Sequence, residues 1–508
     1  MMAAESRVSG VALGELLQEL RPDAAQSGLL VSGLATDSRQ VRSGDLFLAC
    51  QGLHVHALAH AAQAVQRGAV AVLWEPGADT SLQALADHLS VPALAVPGLG
   101  QKLGQIADRF YAHPSRAMHV IGVTGTDGKT SVTHFIAQAL SGEGESCGLL
   151  GTLGYGVWGR LQPPTHTTPD AVRLQAEFAR LRDAGVHRVA MEVSSHALHQ
   201  RRTDGTRFAT AVLTHLSRDH LDYHGSVEAY AEAKRRLFFS AGLETAVLNV
   251  ADAFGRRLAE QLGANIQIIA YGRPEHRYAS AAAQWIHLAS VTPRPEGIAM
   301  QLESSWGRAE LQVSLLGAFN ADNLMAALGA LLACGLSLDA AVNRLAALKT
   351  VPGRMELFAQ PGMPRVVVDY AHTPHALETV LQALRPHCLG ELICLFGAGG
   401  DRDPGKRPHM GAVAERYADR VVLTSDNPRS ESPDAILEQI AAGFAQPQRA
   451  RRIPDRGQAI DELIATAAPD DLLLVAGKGH ETYQQIGAQR LPFSDRARVL
   501  QALQRRAR

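Results

Sequence analysis

Apolar residues in this chain fall into short continuous runs, separated by stretches in which they recur every three or four positions. Met118 to Val123 is one such run and predicts a buried strand. Val132, Phe135, Ile136 and Leu140 follow at helical spacing, so a helix is predicted from near Lys129. The alternation continues to about residue 350, with strands predicted at Arg188–Val193, Ala209–Leu213 and Thr245–Asn249. Val351-Pro352-Gly353 interrupts it. A second series then places strands near Arg365–Asp369, Glu391–Phe396, Asp419–Thr424 and Asp471–Ala476. Upstream, Asp45–Ala49 and Ala69–Leu73 are strand-like, Pro97-Gly98 punctuates the chain, and Leu103–Ala112 reads as a helix. Strands alternating with helices predict parallel sheets covered on both faces, and the breaks predict three α/β domains, 1–98, 99–350 and 351–508. No short-period repeat or low-complexity tract interrupts this reading.

The totals narrow the function classes. At 508 residues, with 46% hydrophobic and 19% charged positions, the chain has ordinary globular composition and is too long for one core. A formal net charge of -1 gives no sign of a nucleic-acid or membrane surface. No apolar run is long enough to span a bilayer, and Met1 to Gly10 has no stretch of signal-peptide type, so a cytoplasmic location is expected. The five cysteines, Cys50, Cys147, Cys334, Cys388 and Cys394, are scattered, which argues against a disulfide framework or a zinc site.

The densest chemistry lies between the first predicted strand and helix of the middle region. Gly125-Thr126-Asp127-Gly128-Lys129-Thr130-Ser131 has the composition of a phosphate-binding loop. Its backbone N–H groups and the positive end of the following helix would point at one place. Two glycines permit close approach, Lys129 supplies a charge for terminal phosphates, and Thr130 offers a hydroxyl to Mg²⁺. The common pattern requires a glycine where this chain has Val123, so the cradle is a shorter one. Glu192 ends a predicted strand, where a carboxylate could hold Mg²⁺ beside the loop or simply face solvent. The run His215-Leu216-Ser217-Arg218-Asp219-His220-Leu221-Asp222-Tyr223-His224-Gly225 suits either a metal-ligand cluster or a network around phosphates. Lys234, within Ala-Glu-Ala-Lys-Arg-Arg, reads locally as a solvated helix-face lysine.

The short loop, Met191–Ala197, Leu216–Gly225, Tyr230–Phe238, Gly317–Asn323, Val351–Glu356 and Asp369–Pro374 together resemble the Mur ligase family, nearly end to end. Thr36-Asp37-Ser38-Arg39 resembles that family's UDP-binding N-terminal domain. The resemblance implies a UDP-binding α/β domain, a central P-loop ATPase domain and a Rossmann-like C-terminal domain that binds an amino acid. It implies that ATP contacts Gly125 through Ser131, Asn320, Arg354 and Asp369, and that Thr130, Glu192, His220 and Lys234, the last as a carbamate, serve Mg²⁺. Lys129, Lys234 and His220 become the expected catalytic residues. Ser38, Thr167, Thr168, Ser194, Gln200 and Arg202 match positions that hold a UDP-N-acetylmuramoyl dipeptide.

Asp426-Asn427-Pro428-Arg429 resembles the signature of members that add meso-diaminopimelate, and Arg402, Gly477 and Glu481 match further positions contacting it. Arg429 would grip the distal carboxylate of diaminopimelate through its planar fork and would repel the ammonium of L-lysine. The implied activity is ATP-driven amide ligation of meso-diaminopimelate to UDP-MurNAc-L-Ala-D-Glu, by a monomer with no nucleic-acid or membrane partner. An L-lysine-adding ligase, a folylpolyglutamate synthetase and a non-catalytic nucleotide-gated protein are the alternatives. The chain departs from the family at His54-Val55-His56-Ala57-Leu58, where relatives often have an Asp-Gly-His-like stretch. Ser38 is therefore the firmer expectation for the uridine nucleotide.

Overall fold

The computed structural model describes residues 10–507, apart from 22–25, 53–54, 78, 80, 143, 165, 277 and 279–282. His54 thus lies outside the described residues. The chain divides into two compact units, Met1–Ala270 with Tyr278–Gln284 and Gly329–Gly335, and Tyr271–Arg277 with Trp285–Leu328 and Leu336–Arg508.

After a short antiparallel pair, Val11–Ala12 with Leu30–Val31, the first unit has four parallel strands, Gly33–Ala35, Asp45–Ala49, Ala71–Trp74 and Ala93–Ala95, paired in chain order. All five residues of Asp45–Ala49 are buried. Leu46 and Leu48 pack into one cluster with Leu16 and Ile106, whereas Phe47 and Ala49 pack into another with Leu58 and Trp74. This two-sided burial of an unbroken apolar run is what a covered parallel sheet requires. The helix at the end of this region is Leu99–Phe110, beginning immediately after Gly98.

The central sheet sets the position of the phosphate loop. Thr245–Asn249, Thr210–Leu213, His119–Thr124, Arg188–Glu192 and Cys147–Gly151 lie side by side in that order and run parallel. From His119–Thr124 the chain passes through helix Lys129–Ala139 to Cys147–Gly151 on one side. It fills the gap with Arg188–Glu192, then crosses to Thr210–Leu213 on the other side. The loop after Thr124 therefore occupies the point where the winding reverses, the usual ligand crevice of an open α/β sheet. Gly154–Val157 adds an antiparallel edge strand that the alternation did not predict.

The expectation of unbroken strand–helix alternation to residue 350 is corrected in the second unit. Gln284–Arg294, Gly297–Ser304 and Gly307–Val313 form an antiparallel meander. Only Pro295-Glu296 and Ser305-Trp306 separate these strands, and two-residue connections close hairpins but cannot hold a helical crossover. The second unit's main sheet has the order Glu356–Phe358, Arg365–Asp369, Leu472–Ala476, Leu392–Phe396, Arg420–Leu423, Arg451–Arg452. Only the first strand pairs antiparallel. Apolar clusters cover both faces, with Leu377, Met410 and Ile440 in one and Ile460, Leu463 and Val499 in the other. All five cysteines are free, and among the described residues no helix is long and apolar enough to cross a membrane.

Candidate functional site

The phosphate loop is held open by its neighbours. Gly125 has φ of 150°, and a β-carbon there would lie 1.8 Å from Thr214 Oγ1, so only glycine fits. Gly128 takes the left-handed conformation, φ 81°, at the start of helix Lys129–Ala139. The Thr214 hydroxyl donates to Asp127 O at 2.6 Å, and Thr126 N–H donates to His215 O at 2.8 Å. Lys129 Nζ lies within the loop, donating to Gly125 O at 3.0 Å and Thr126 O at 2.7 Å. Thr130 and Ser131 occupy the first turn, where backbone N–H groups have no intrahelical acceptor. The Asp127 side chain is 78% exposed, with Oδ2 3.4 Å from His215 Nε2. Replacing it by asparagine removes a negative charge from the rim of an anion cradle. Asp127→Asn is expected to lower the apparent KM for ATP about two- to fivefold, less at high salt. An unchanged or raised KM would remove the electrostatic role.

Glu192 ends the neighbouring strand and is 1% exposed. Its Oε2 accepts from Thr130 Oγ1 at 2.9 Å and Thr152 Oγ1 at 3.1 Å, and its Oε1 from Thr152 N–H at 2.7 Å. Burial raises its pKa against the opposing pull of the Thr152 N–H. The Thr152 hydroxyl also meets Thr167 Oγ1 at 3.1 Å, and Thr168 Oγ1 donates to Glu192 O at 2.8 Å while accepting from Ser194 N–H at 3.1 Å. Arg202 donates to Thr168 O at 3.0 Å and to Gln200 Oε1 at 2.6 and 2.8 Å. The structure thus gathers Thr167, Thr168, Ser194, Gln200 and Arg202 around the end of one strand. Thr152 orients Glu192 through two bonds, a role the sequence does not signal, since a threonine in a Gly-Thr-Leu-Gly turn carries no local mark. Ser38, at the far sheet, is buried and donates to Gln63 Oε1 at 2.7 Å.

Lys234 corrects its local reading as a solvated lysine. It is 1% exposed, its Nζ donates to Gly125 O at 2.6 Å, and it lies 4.5 Å from the centroid of the Tyr230 ring. Burial, reinforced by the charge of Lys129, pushes its pKa well below the ordinary lysine value. Its helix, Val227–Phe238, is capped by Ser226, whose hydroxyl accepts from Ala229 N–H. Tyr230 contacts the loop itself, 3.2 Å from Thr126 Oγ1, and its pKa is pushed up to about 12 by burial. His220 has a left-handed backbone (φ 51°) and packs against His196 and Tyr230, with ring centroids 4.8 and 6.2 Å away. Tyr223 Oη links this group to the strand-end cluster, 2.9 Å from Gln200 Nε2 and 3.0 Å from His199 Nδ1.

Thr130 and Glu192 place a hydroxyl and a carboxylate in contact at the helix N-terminus. Such hard oxygen donors suit Mg²⁺, which is usually held by one or two carboxylates plus phosphate oxygens and water rather than by a protein cage.

The second unit holds two further clusters. Asp369 ends its strand buried, with Oδ2 accepting from Met355 N–H and Oδ1 from Ala371 N–H, both at 2.7 Å, and burial raises its pKa. The Arg354 guanidinium lies over Tyr370, 4.9 Å from the ring centroid. Asn320 is buried and donates to Leu316 O at 2.8 Å. In the other cluster, Asn427 Nδ2 donates to Glu481 Oε2 at 2.8 Å, and the fully buried Lys478 donates to both Asn427 Oδ1 and Glu481 Oε2, at 3.1 and 2.9 Å. Lys478 sits inside the Gly-Lys-Gly-His-Glu motif, and its contact with Asn427, 51 residues away, leaves no local mark in the sequence. Asp426 and Pro428 are buried beside it, and a β-carbon on Gly477 would come 2.5 Å from Asp426 Oδ2. Arg429 is half-buried with φ 51°, and its Nη1 donates to Gly400 O at 2.5 Å. A β-carbon on Gly399 would sit 2.9 Å from Arg429 Nη1 and 3.8 Å from Arg402 Cγ, so both arginines border one glycine turn.

That turn is braced by Arg407, whose buried guanidinium donates to Glu431 Oε1 and Oε2 at 2.9 and 2.7 Å and to Gly399 O at 3.1 Å. The pairing draws the Glu431 carboxyl down to about 2. Its stabilising effect is therefore complete above the unfolded-state carboxyl pKa and is lost as pH falls toward 2. Glu431→Gln should lower the melting temperature at pH 7, with a difference from wild type that shrinks between pH 5 and pH 2. A difference independent of pH would show that the ion pair does not set the stability.

Three family models match the chain, described as "Mur ligase family, catalytic domain" over residues 30–111, "Mur ligase middle domain" over 123–331, and "Mur ligase, glutamate ligase domain" over 353–479. A protein of Alkalilimnicola ehrlichii named UDP-N-acetylmuramoyl-L-alanyl-D-glutamate--2,6-diaminopimelate ligase is 51% identical over 477 residues, covering 93% of this chain and 95% of its own. A protein of the same name from Coxiella burnetii is 45% identical, covering 98% of this chain and 100% of its own. A solved structure of a ligase with that name, 34% identical, superposes with a TM-score of 0.73 over 98% of this chain and 100% of its own.

Proposed function

The chain belongs to the Mur ligase family, and from that premise we propose that it joins meso-diaminopimelate to UDP-MurNAc-L-Ala-D-Glu at the expense of ATP. The observation that carries this reading is the near end-to-end identity with two ligases of one name. Domain boundaries near residues 98 and 350, a monomeric state and a cytoplasmic location belong to the same proposal.

A free carboxylate is a poor electrophile. Transfer of the γ-phosphoryl group of ATP to the side-chain carboxylate of D-glutamate gives an acyl phosphate, with ADP leaving. The neutral amine of diaminopimelate attacks that carbonyl, the C–O bond to phosphate breaks, and the amine's extra proton passes to a base or water. Phosphoryl transfer needs positioning and charge neutralisation above all. Lys129, the loop N–H groups and the helix N-terminus supply these for the phosphates. Thr130, Glu192, His220 and a carbamylated Lys234 would hold Mg²⁺, whose charge would offset that of the phosphates. Asn320, Arg354 and Asp369 hold the rest of the nucleotide. Ser38, Thr167, Thr168, Ser194, Gln200 and Arg202 hold the muramoyl dipeptide. Arg402, Asp426, Asn427, Pro428, Arg429, Gly477 and Glu481 hold the amino acid, with Lys478 keeping Asn427 and Glu481 in register.

Phosphate release with ATP, Mg²⁺ and UDP-MurNAc-L-Ala-D-Glu tests the reading directly. Turnover is expected with meso-diaminopimelate and not with L-lysine. Turnover with L-lysine would overturn the choice of amino acid, and none with either would overturn the ligase reading.

A further inference from the structure

The hairpin that follows the Gly-Lys-Gly-His-Glu motif adds little to the core of the second unit. Its strands, Tyr483–Ile486 and Gln489–Pro492, pair antiparallel. None of the residues from Tyr483 to Pro492 is fully buried, and Ile486 and Leu491 leave large apolar side chains exposed. At its base Phe493 N–H donates to Thr482 O at 3.1 Å, so the chain leaves and returns at nearly one place. A short turn would make the same connection. A two-stranded hairpin is marginal on its own in water, and this one gains little from apolar burial.

Its hydrogen bonds go instead to Asp426-Asn427-Pro428-Arg429. Arg429 N–H donates to Gln485 O at 3.0 Å and Gly487 N–H donates to Arg429 O at 2.6 Å, so Arg429 forms a parallel bridge with Ile486. Gln485 N–H donates to Asn427 Oδ1 at 2.9 Å, and Gln484 Nε2 to Asp426 O at 2.7 Å. The Tyr483 ring centroid lies 5.6 Å from Nζ of Lys478, which donates to the same Asn427 Oδ1. Arg429 needs such a frame. At φ 51° it occupies the left-handed region, which a residue with a β-carbon keeps only where its surroundings hold it there. The hairpin holds both of its backbone hydrogen-bonding groups, while Gly400 O holds one edge of its guanidinium.

We propose that the hairpin Tyr483–Pro492 is a positioning element for the amino-acid substrate, fixing the backbone of Arg429 and the side chain of Asn427 before diaminopimelate arrives. The proposal rests on the ligase reading above and names Gln484, Gln485 and Gly487 as positioning residues that act through Asp426, Asn427 and Arg429. Released from the hairpin, Arg429 would leave the left-handed region, and binding would have to restore it. The loss then falls on affinity for the amino acid and not on phosphoryl transfer.

Phosphate release with each substrate varied in turn tests this on the full chain with residues 485–490 replaced by Asn-Gly. Gln484 and Leu491 are cross-strand partners, so a two-residue turn can join them. The KM for diaminopimelate should rise at least about tenfold, with kcat and the KM for ATP within about twofold of wild type. Added to Arg429→Ala, the shortening should raise that KM by no more than about twofold further, because both act through one guanidinium. Gln484→Glu leaves the hairpin whole and sets a carboxylate oxygen against Asp426 O, which decides the matter should the shortened chain not fold. It should raise the KM for diaminopimelate about three- to tenfold, again without moving that for ATP. An unchanged KM for diaminopimelate in either folded variant overturns the proposal and leaves the ligase reading in place. So does a loss shared equally by ATP, or one that multiplies in full with that of Arg429→Ala. No turnover of diaminopimelate by wild type overturns the ligase reading, and the assignment of the hairpin with it.

Discussion

Lys234→Met is expected to lower kcat on the order of 10²- to 10³-fold, the range for removing one preorganised charge from a phosphoryl-transfer site, without unfolding the protein. Methionine fills a similar volume, so the cost is chemical rather than steric. The lysine is buried, with its Nζ on Gly125 O and beside the Tyr230 ring, and its pKa is lowered by burial and by Lys129. A lowered pKa leaves a neutral amine at lower pH than an exposed lysine would, and only the neutral amine adds to CO₂. Addition forms an N–C bond and releases a proton, converting the neutral buried amine into a carbamate anion that would face Lys129. Activity is therefore expected to fall when bicarbonate and CO₂ are removed, and acetate should partly restore Lys234→Ala by supplying a carboxylate to the space left. Wild-type kcat in Lys234→Met would end this account.

The same shift has a sign in stability. For the unmodified amine the unfolded chain binds a proton that the folded chain does not, between the lowered folded pKa and the ordinary lysine value near 10.4. Stability should thus rise with pH across that window, and Lys234→Met should flatten the slope and raise the melting temperature near neutrality.

Lys234 also marks where the sequence became hard to read. Ala-Glu-Ala-Lys-Arg-Arg has the local composition of a solvated helix face, and what buries the lysine is a contact with Gly125, 109 residues away. The family resemblance, not the residues around it, pointed to a role. Strands such as Arg365–Asp369 and Thr245–Asn249 are legible to the residue, because each is a run of three apolar residues, Val366–Val368 and Ala246–Leu248, bounded by polar ones. The phosphate loop was legible because glycines, lysine, hydroxyl, strand and helix are all local. The meander from Gln284 to Val313 was missed because its turns, Pro-Glu and Ser-Trp, lack the usual Asn-Gly signature. Thr152 was missed for a related reason, since its two bonds to Glu192 bridge residues 40 apart.

Arg429→Ala should raise the KM for meso-diaminopimelate about 30- to 10³-fold, the loss expected when a half-buried charge-assisted pair is cut, while leaving the KM for ATP near wild type. Arg429 sits at φ 51° with its N–H on Gln485 O at 3.0 Å and Nη1 on Gly400 O at 2.5 Å, so its backbone and one edge of the guanidinium are fixed before any ligand arrives. The remaining donors can take a carboxylate without further ordering, which is why the side chain should count heavily. Arg429→Lys keeps the charge and loses the fork, so most of the affinity should still go. Arg429→Gly separates the side chain from its strained backbone. Glycine relieves the left-handed conformation, so a loss as large as that of Arg429→Ala assigns the effect to the guanidinium. A gain of L-lysine turnover in these variants is expected to be small, because removing a repulsive group does not create a partner for the lysine ammonium. Unchanged KM for diaminopimelate in Arg429→Ala would place its distal carboxylate elsewhere, and with it the basis for the choice of amino acid.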